Sequence, residues 1–115
     1  MSIIEKLKSA YKLWHEQHRR FPKTSKYTLG EKIDTLFMGV LEQTVTASVL
    51  PKEKKVTYLE KASIQLDLLK FFLQISWEIG VLQTKHYSTL SEHLSEIGRM
   101  LGGWRRGVES KTSAR

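Results

Sequence analysis

The chain has 115 residues and a mass of 13.4 kDa, with 40% hydrophobic and 27% charged residues, the balance of one small globular domain. It has no cysteine, which excludes a disulfide scaffold, a thiolate metal site and a thiol nucleophile. Lys and Arg number 19 against 12 Asp and Glu; the formal net charge of +7 excludes an acidic solvating protein and makes a polyanion a candidate partner.

The first residues, MSIIEKLKSAYKLW, carry charges throughout and do not read as a secretory leader. Ile4, Leu7, Tyr11, Trp14, His18 and Phe21 recur at alternating spacings of three and four, an apolar stripe on one helix face. Ser2 followed by Glu5 has the capping-box spacing, and Pro22 follows the stripe. A polar loop, PKTSKY, comes next. Thr28 and Glu31 repeat the capping-box spacing, so a second helix is expected to start there. Its stripe is Leu29, Ile33, Leu36, Val40, Thr44 and Ala47, widened by Phe37, Leu41 and Val45. Gly39 within it costs about 1 kcal/mol against alanine; close approach of a neighbouring helix and simple tolerance both account for it.

The break VLPKEKK places Pro51 at the start of a third helix. Its stripe is Leu59, Ala62, Leu66, Leu69, Leu73 and Ser76. A second apolar face adds Ile64, Leu68, Phe71, Phe72, Ile75 and Ile79, so from residue 64 to 79 most of the circumference is apolar. Such a helix is central to its own bundle or buried in an oligomer. Gly80 can supply a left-handed C-cap, and Thr84 is the candidate N-cap of a fourth helix. That helix carries Tyr87, Leu90, Leu94, Ile97, Leu101 and Trp104, and Gly102–Gly103 are expected to end it. Residues 105–115 then read as a mobile basic tail after a domain spanning 1–104. The fold class is all-α, an antiparallel up-down-up-down four-helix bundle. No stretch is apolar for long enough to span a bilayer, no membrane partner is expected, and a reducing cytoplasmic compartment is the default.

The charge is uneven. Residues 1–27 carry a balance of +5, residues 28–98 one of −2, and residues 99–115 one of +4. Lys8, Lys12, His15 and Arg19 fall at spacings of four, three and four, on one helix face clear of the apolar stripe. Arg20, Lys23 and Lys26 extend the row into the loop. Such a row can follow a phosphate backbone, and it can equally be a solvated face. Arg99, Arg105 and Arg106 form a second cluster, which the bundle topology brings towards the start of the first helix.

Other constellations carry less. His15, Glu16 and His18 spell H-E-x-H, one residue short of the zinc-binding spacing, and no metal or other cofactor is expected. His18 sits on the apolar stripe and reads as a hydrogen-bonded core histidine. Trp14 and Trp104 lie on core stripes, whereas Trp77 lies off its stripe and is an interface candidate, with Phe71, Phe72 and Ile75. Asp67 and Lys70 have the spacing of a local ion pair or of a polar contact across an interface. Gly98 reads as a close helix contact. No catalytic residues are expected: there is no nucleophile elbow, no paired acid motif with a histidine base, and only two aspartates, Asp34 and Asp67.

Three stretches carry a family resemblance: FPKTSKYTLGEKID, LDLLKFFLQ and YSTLSEHLSEIGRMLGGW, in that order over roughly residues 5–104. Together they resemble the accessory variability determinant proteins of diversity-generating retroelements. They are equally similar to the four-helix proteins encoded in intervening sequences of bacterial ribosomal RNA genes. The resemblance implies a four-helix protomer, a ring-like homopentamer and a basic surface. For the retroelement branch it implies a non-enzymatic protein that binds the element's reverse transcriptase and its RNA or DNA, supporting mutagenic cDNA synthesis. For the other branch it implies a structural oligomer with a protein or RNA partner. The family's basic positions fall here on Lys23, Lys26, Arg99, Arg105 and Arg106, while Gln74 stands where many members carry a basic residue.

Overall fold

A computed structural model of the chain describes residues 1–113, with side chains through residue 110. Four long helices and no strand occur among the described residues: α1 (Ile3–Arg19), α2 (Glu31–Val49), α3 (Lys52–Glu78) and α4 (Thr84–Ser113). None is long and apolar enough to cross a membrane. They form a rod of 53 × 22 × 21 Å around one continuous core.

The core follows the apolar stripes closely. Leu7 and Trp14 of α1, Ile33, Leu36, Val40 and Ala47 of α2, and Leu90, Leu94, Ile97 and Leu101 of α4 are buried. On α3 the whole stripe from Leu59 to Ser76 is buried. Two polar members are accommodated by back-bonding within their own helices. The Thr44 hydroxyl donates to the Val40 carbonyl at 2.6 Å, and the Ser76 hydroxyl to the Phe72 carbonyl at 3.0 Å. Cross-helix contacts fix the neighbours. Tyr11 and Trp14 meet Asp34, Gly39 meets Gln65, Arg105 meets Glu60, and Lys6 meets Glu96.

The helix ends combine expected and unexpected chemistry. The Ser2 hydroxyl accepts from the Glu5 N–H at 3.2 Å, the expected first cap. Gly80 has φ +85, and the Gly80 and Val81 N–H groups return to the Trp77 and Ser76 carbonyls at 3.1 and 3.0 Å. That is the left-handed glycine stop of a Schellman motif. Pro51 stands extended immediately before α3. At Gly39 a Cβ would lie 2.6 Å from the Gln65 amide nitrogen, so the end of that flexible side chain would have to move aside.

Three expectations are corrected. The polar loop and the capping box at Thr28 are replaced by continuous helix. A turn over Lys23–Ser25 passes into a π-helical turn over Lys26–Gly30, which runs straight into α2. Thr28 lies inside that turn, so its hydroxyl bonds back to the Thr24 and Ser25 carbonyls instead of capping. The cap of α4 is Gln83, whose carbonyl accepts from the His86 and Tyr87 N–H groups; the Thr84 hydroxyl instead accepts from Trp77 Nε1 at 3.0 Å. Finally, Gly102 and Gly103 do not stop α4, which continues to Ser113, so residues 105–113 are helical rather than a loose tail. Leu101 and Val108 are buried on either side of the glycines, and this packing outweighs their poor helix propensity. Residues 114–115 of the expected tail lie outside the described residues.

Candidate nucleic-acid interface

The inner stripe of α1 turns Leu7, Ala10 and Trp14 to the core, which leaves Lys8, Lys12, His15 and Arg19 exposed on its outer face. Arg20 and Lys23 are also exposed, and Lys26 is half-buried. Arg19 lies 3.2 Å from Glu16 with its side chain 67% exposed, so the pairing is loose and solvent-screened. Among the described residues no ion pair engages Lys8, Lys12, Arg20, Lys23 or Lys26. The basic row of α1 is therefore a nearly uncompensated strip.

A polar network fixes that strip to α2. Asp34 accepts from the Tyr11 hydroxyl at 2.8 Å and from Trp14 Nε1 at 3.1 Å. His18 stacks on Trp14, with ring centroids 5.0 Å apart, and its Nδ1 lies 4.0 Å from the same carboxylate. His18 Nε2 pairs with the Lys26 carbonyl at 3.2 Å, which ties the π-helical turn to α1. A Cβ on Gly30 would lie 2.7 Å from the His18 ring, so glycine permits this approach. Burial and the Asp34 hydrogen bond, helped by the Asp34 charge, push the Tyr11 hydroxyl up to about 12. His18 is thus the hydrogen-bonded core histidine expected from its position on the stripe.

The sequence reading missed Asp34. The signal was present. Tyr11, Trp14 and His18 put three polar-tipped rings on one core stripe, and such rings need partners when buried. Asp34, one position after Ile33 of the opposing stripe, is placed to supply one.

The second basic cluster is divided. Arg99 and Arg106 are exposed, with the Arg106 guanidinium folded back 3.2 Å from where a Gly102 Cβ would lie. Arg105 is committed to carboxylates, 3.3 Å from Glu60 and 3.3 Å from Glu109. The start of α1 does approach this cluster, as expected, but Lys6 meets Glu96 at 2.7 Å, so an acid separates the two basic groups. The Lys6 hydrogen bond and charge hold the Glu96 carboxyl below the usual carboxylate range, with Arg99 and His93 adding to the effect.

The outer face of α3 has the opposite chemistry. Ile64, Phe71 and Ile79 are more than half exposed, Leu68 is exposed, and Phe72 and Ile75 are half-buried. Trp77 is less available than its position off the stripe implied: it stacks on Tyr87 with centroids 4.9 Å apart and donates to Thr84. Among the described residues no ion pair joins Asp67 to Lys70. The Lys70 ammonium instead reaches α4, 3.4 Å from the Cβ position of Gly98, an ordinary approach that needs no glycine. Asp67, Lys70, Phe71 and Gln74 line a surface groove of about 380 Å³ with Tyr87 and Ser91 of α4. Among the described residues, no three His, Asp or Glu side chains gather as metal ligands.

No curated protein matches the chain. A family model described as bAvd-like matches residues 1–108, which takes in α1 to α3 and most of α4. The chain belongs to the bAvd-like family.

Proposed function

We propose that the chain is the non-enzymatic accessory protein of a diversity-generating retroelement. It works in the cytoplasm as an antiparallel four-helix protomer that self-assembles into a pentamer. It binds RNA or DNA together with the element's reverse transcriptase and supports mutagenic cDNA synthesis. Family membership supports the retroelement assignment. The observation that carries the nucleic-acid part is the nearly uncompensated row Lys8, Lys12, Arg19, Arg20 and Lys23, in which only Arg19 has an acidic partner, beside a turn held by His18. Lys26, Arg99 and Arg106 extend that surface, and Arg105 joins it when it leaves Glu60. Clustered cations of this kind bind phosphate by releasing counterions, so affinity falls steeply with salt.

The exposed ridge Ile64, Leu68 and Phe71, with Phe72, Ile75 and Trp77 at its edges, supports the assembly part of the reading. A contiguous apolar face of this kind marks an interaction surface. The same ridge also favours a second reading, a structural oligomer encoded in a ribosomal RNA intervening sequence. The two readings separate experimentally. The retroelement reading expects a reverse-transcriptase gene beside this one and co-purification of the two products. It also expects binding to structured RNA or duplex DNA that weakens with salt and collapses in a Lys8→Glu, Lys12→Glu, Arg19→Glu variant. An intact oligomer with no affinity at low salt and no reverse-transcriptase partner would leave only the structural reading.

A further inference from the structure

The far end of α4 is built unlike the rest of the bundle. Gly102, Gly103 and Gly107 fall in its second half, and a Cβ at Gly103 or Gly107 would meet nothing within 4 Å. These two glycines therefore weaken the helix with no packing that requires them. The end also has fewer neighbours. Lys6 lies opposite Glu96 and α1 begins at Ile3, so α4 outruns α1 after about one further turn. From there Lys55 of α3 lies 5.8 Å over the Trp104 ring, Glu60 of α3 meets Arg105 at 3.3 Å, and Val108 is the one core residue beyond the glycine pair among the described residues.

We propose that residues 102–110 form a detachable helical arm, latched to α3 through Arg105 and Glu60 and released when a phosphate polyanion takes Arg105 from Glu60. In the latched state Arg105 is held between Glu60 and Glu109, and Arg106 lies along its own helix over Gly102. Arg105 is then occupied by carboxylates, while Arg106 stays exposed to solvent. Carboxylate and phosphate compete for the same bidentate geometry of arginine, so a polyanion is a direct competitor of Glu60. The glycines lower the intrinsic helix stability that opposes opening, so the burial of Val108 and the packing of Trp104 are what release has to overcome. The release step, though not the arm itself, rests on the phosphate-binding reading above.

Hydrogen–deuterium exchange on the full chain tests this. In the protein alone, amides of residues 102–110 should exchange faster than those of 84–97. A Gly103→Ala, Gly107→Ala variant should slow exchange in the arm by about fivefold per substitution. Glu60→Gln should speed it by up to about fivefold and leave residues 84–97 unchanged. Equal exchange in the two segments, unmoved by either variant, would overturn the arm. A structured hairpin RNA and inorganic polyphosphate should each accelerate exchange in residues 102–110, and an Arg105→Gln variant should show no such response. If polyphosphate releases the arm while RNA does not bind, the latch stands and the nucleic-acid reading falls. Bound RNA or polyphosphate that slows the arm or leaves it unchanged would overturn the release step.

Discussion

The helices α1 and α3 share an inner design and differ on the outside. Both turn a stripe spaced by three and four into the same core, Leu7, Ala10 and Trp14 on one and Leu59 through Ser76 on the other. Outside, α1 carries Lys8, Lys12, His15 and Arg19, while α3 carries Ile64, Leu68, Phe71 and Ile79. The inner stripes make the bundle. The outer faces are not needed to fold it, so their chemistry was free to be set by what each face touches. In the proposed function the α1 face meets phosphate and the α3 face meets other copies of the chain.

The sharpest way to break the comparison is to cross inner with outer. Trp14→Ala removes a fully buried indole and should cost about 3–5 kcal/mol in urea unfolding. Ile64→Ala, on the outer face of α3, should stay within about 0.5 kcal/mol when measured on the dissociated chain. A large cost at Ile64 in that state would place it in the core and end the comparison.

A second cut tests what holds the α1 face in place. Asp34→Ala leaves the Tyr11 hydroxyl and Trp14 Nε1 without their acceptor, for an expected loss of about 1–3 kcal/mol in the same assay. The pH dependence provides a further check on this network. The Tyr11 hydroxyl is raised from 10.0 to about 12, so it contributes stability that is complete below pH 10 and lost as pH rises towards 12. Tyr11→Phe should abolish that part of the alkaline loss, read as the difference between the two stability curves over the same window. On the outside, Phe71→Ser should change stability least, yet lower the mass in solution if the ridge is an assembly face.

Much of this was legible in the sequence because period and burial are tightly linked in helices. Three of the four stripes landed on the core almost residue for residue, and the Gly80 stop was visible from glycine alone. What was not legible depended on partners distant in the chain. Thr28 has a capping residue's chemistry, but a π-helical turn tied down by His18 absorbs it. Gly102 and Gly103 look like a stop, but Leu101 and Val108 bury themselves on either side. The three polar-tipped rings of the α1 stripe signal the need for a partner, but that Asp34 is the acceptor follows only once α1 lies beside α2. At the candidate interface, the exposure of the α1 cations followed from spacing. The capture of Arg105 by Glu60, 45 residues earlier, did not.

The central claim is that phosphate binding and assembly reside on different outer faces. The most direct measurement is affinity for a structured RNA across a salt series, with mass in solution followed on the same samples. Two variants are compared with the parent chain, Lys8→Glu, Lys12→Glu, Arg19→Glu on α1 and Ile64→Ser, Phe71→Ser on α3. If the faces are separate, the α1 variant keeps the parent's mass and loses its salt-dependent affinity. The log–log slope should then fall by about 0.7–0.9 for each phosphate that is no longer neutralised. The α3 variant should have a lower mass, while each chain still binds phosphate through α1 with the same dependence on salt. An α1 variant that binds RNA as the parent does, or that falls apart as the α3 variant does, would contradict the claim.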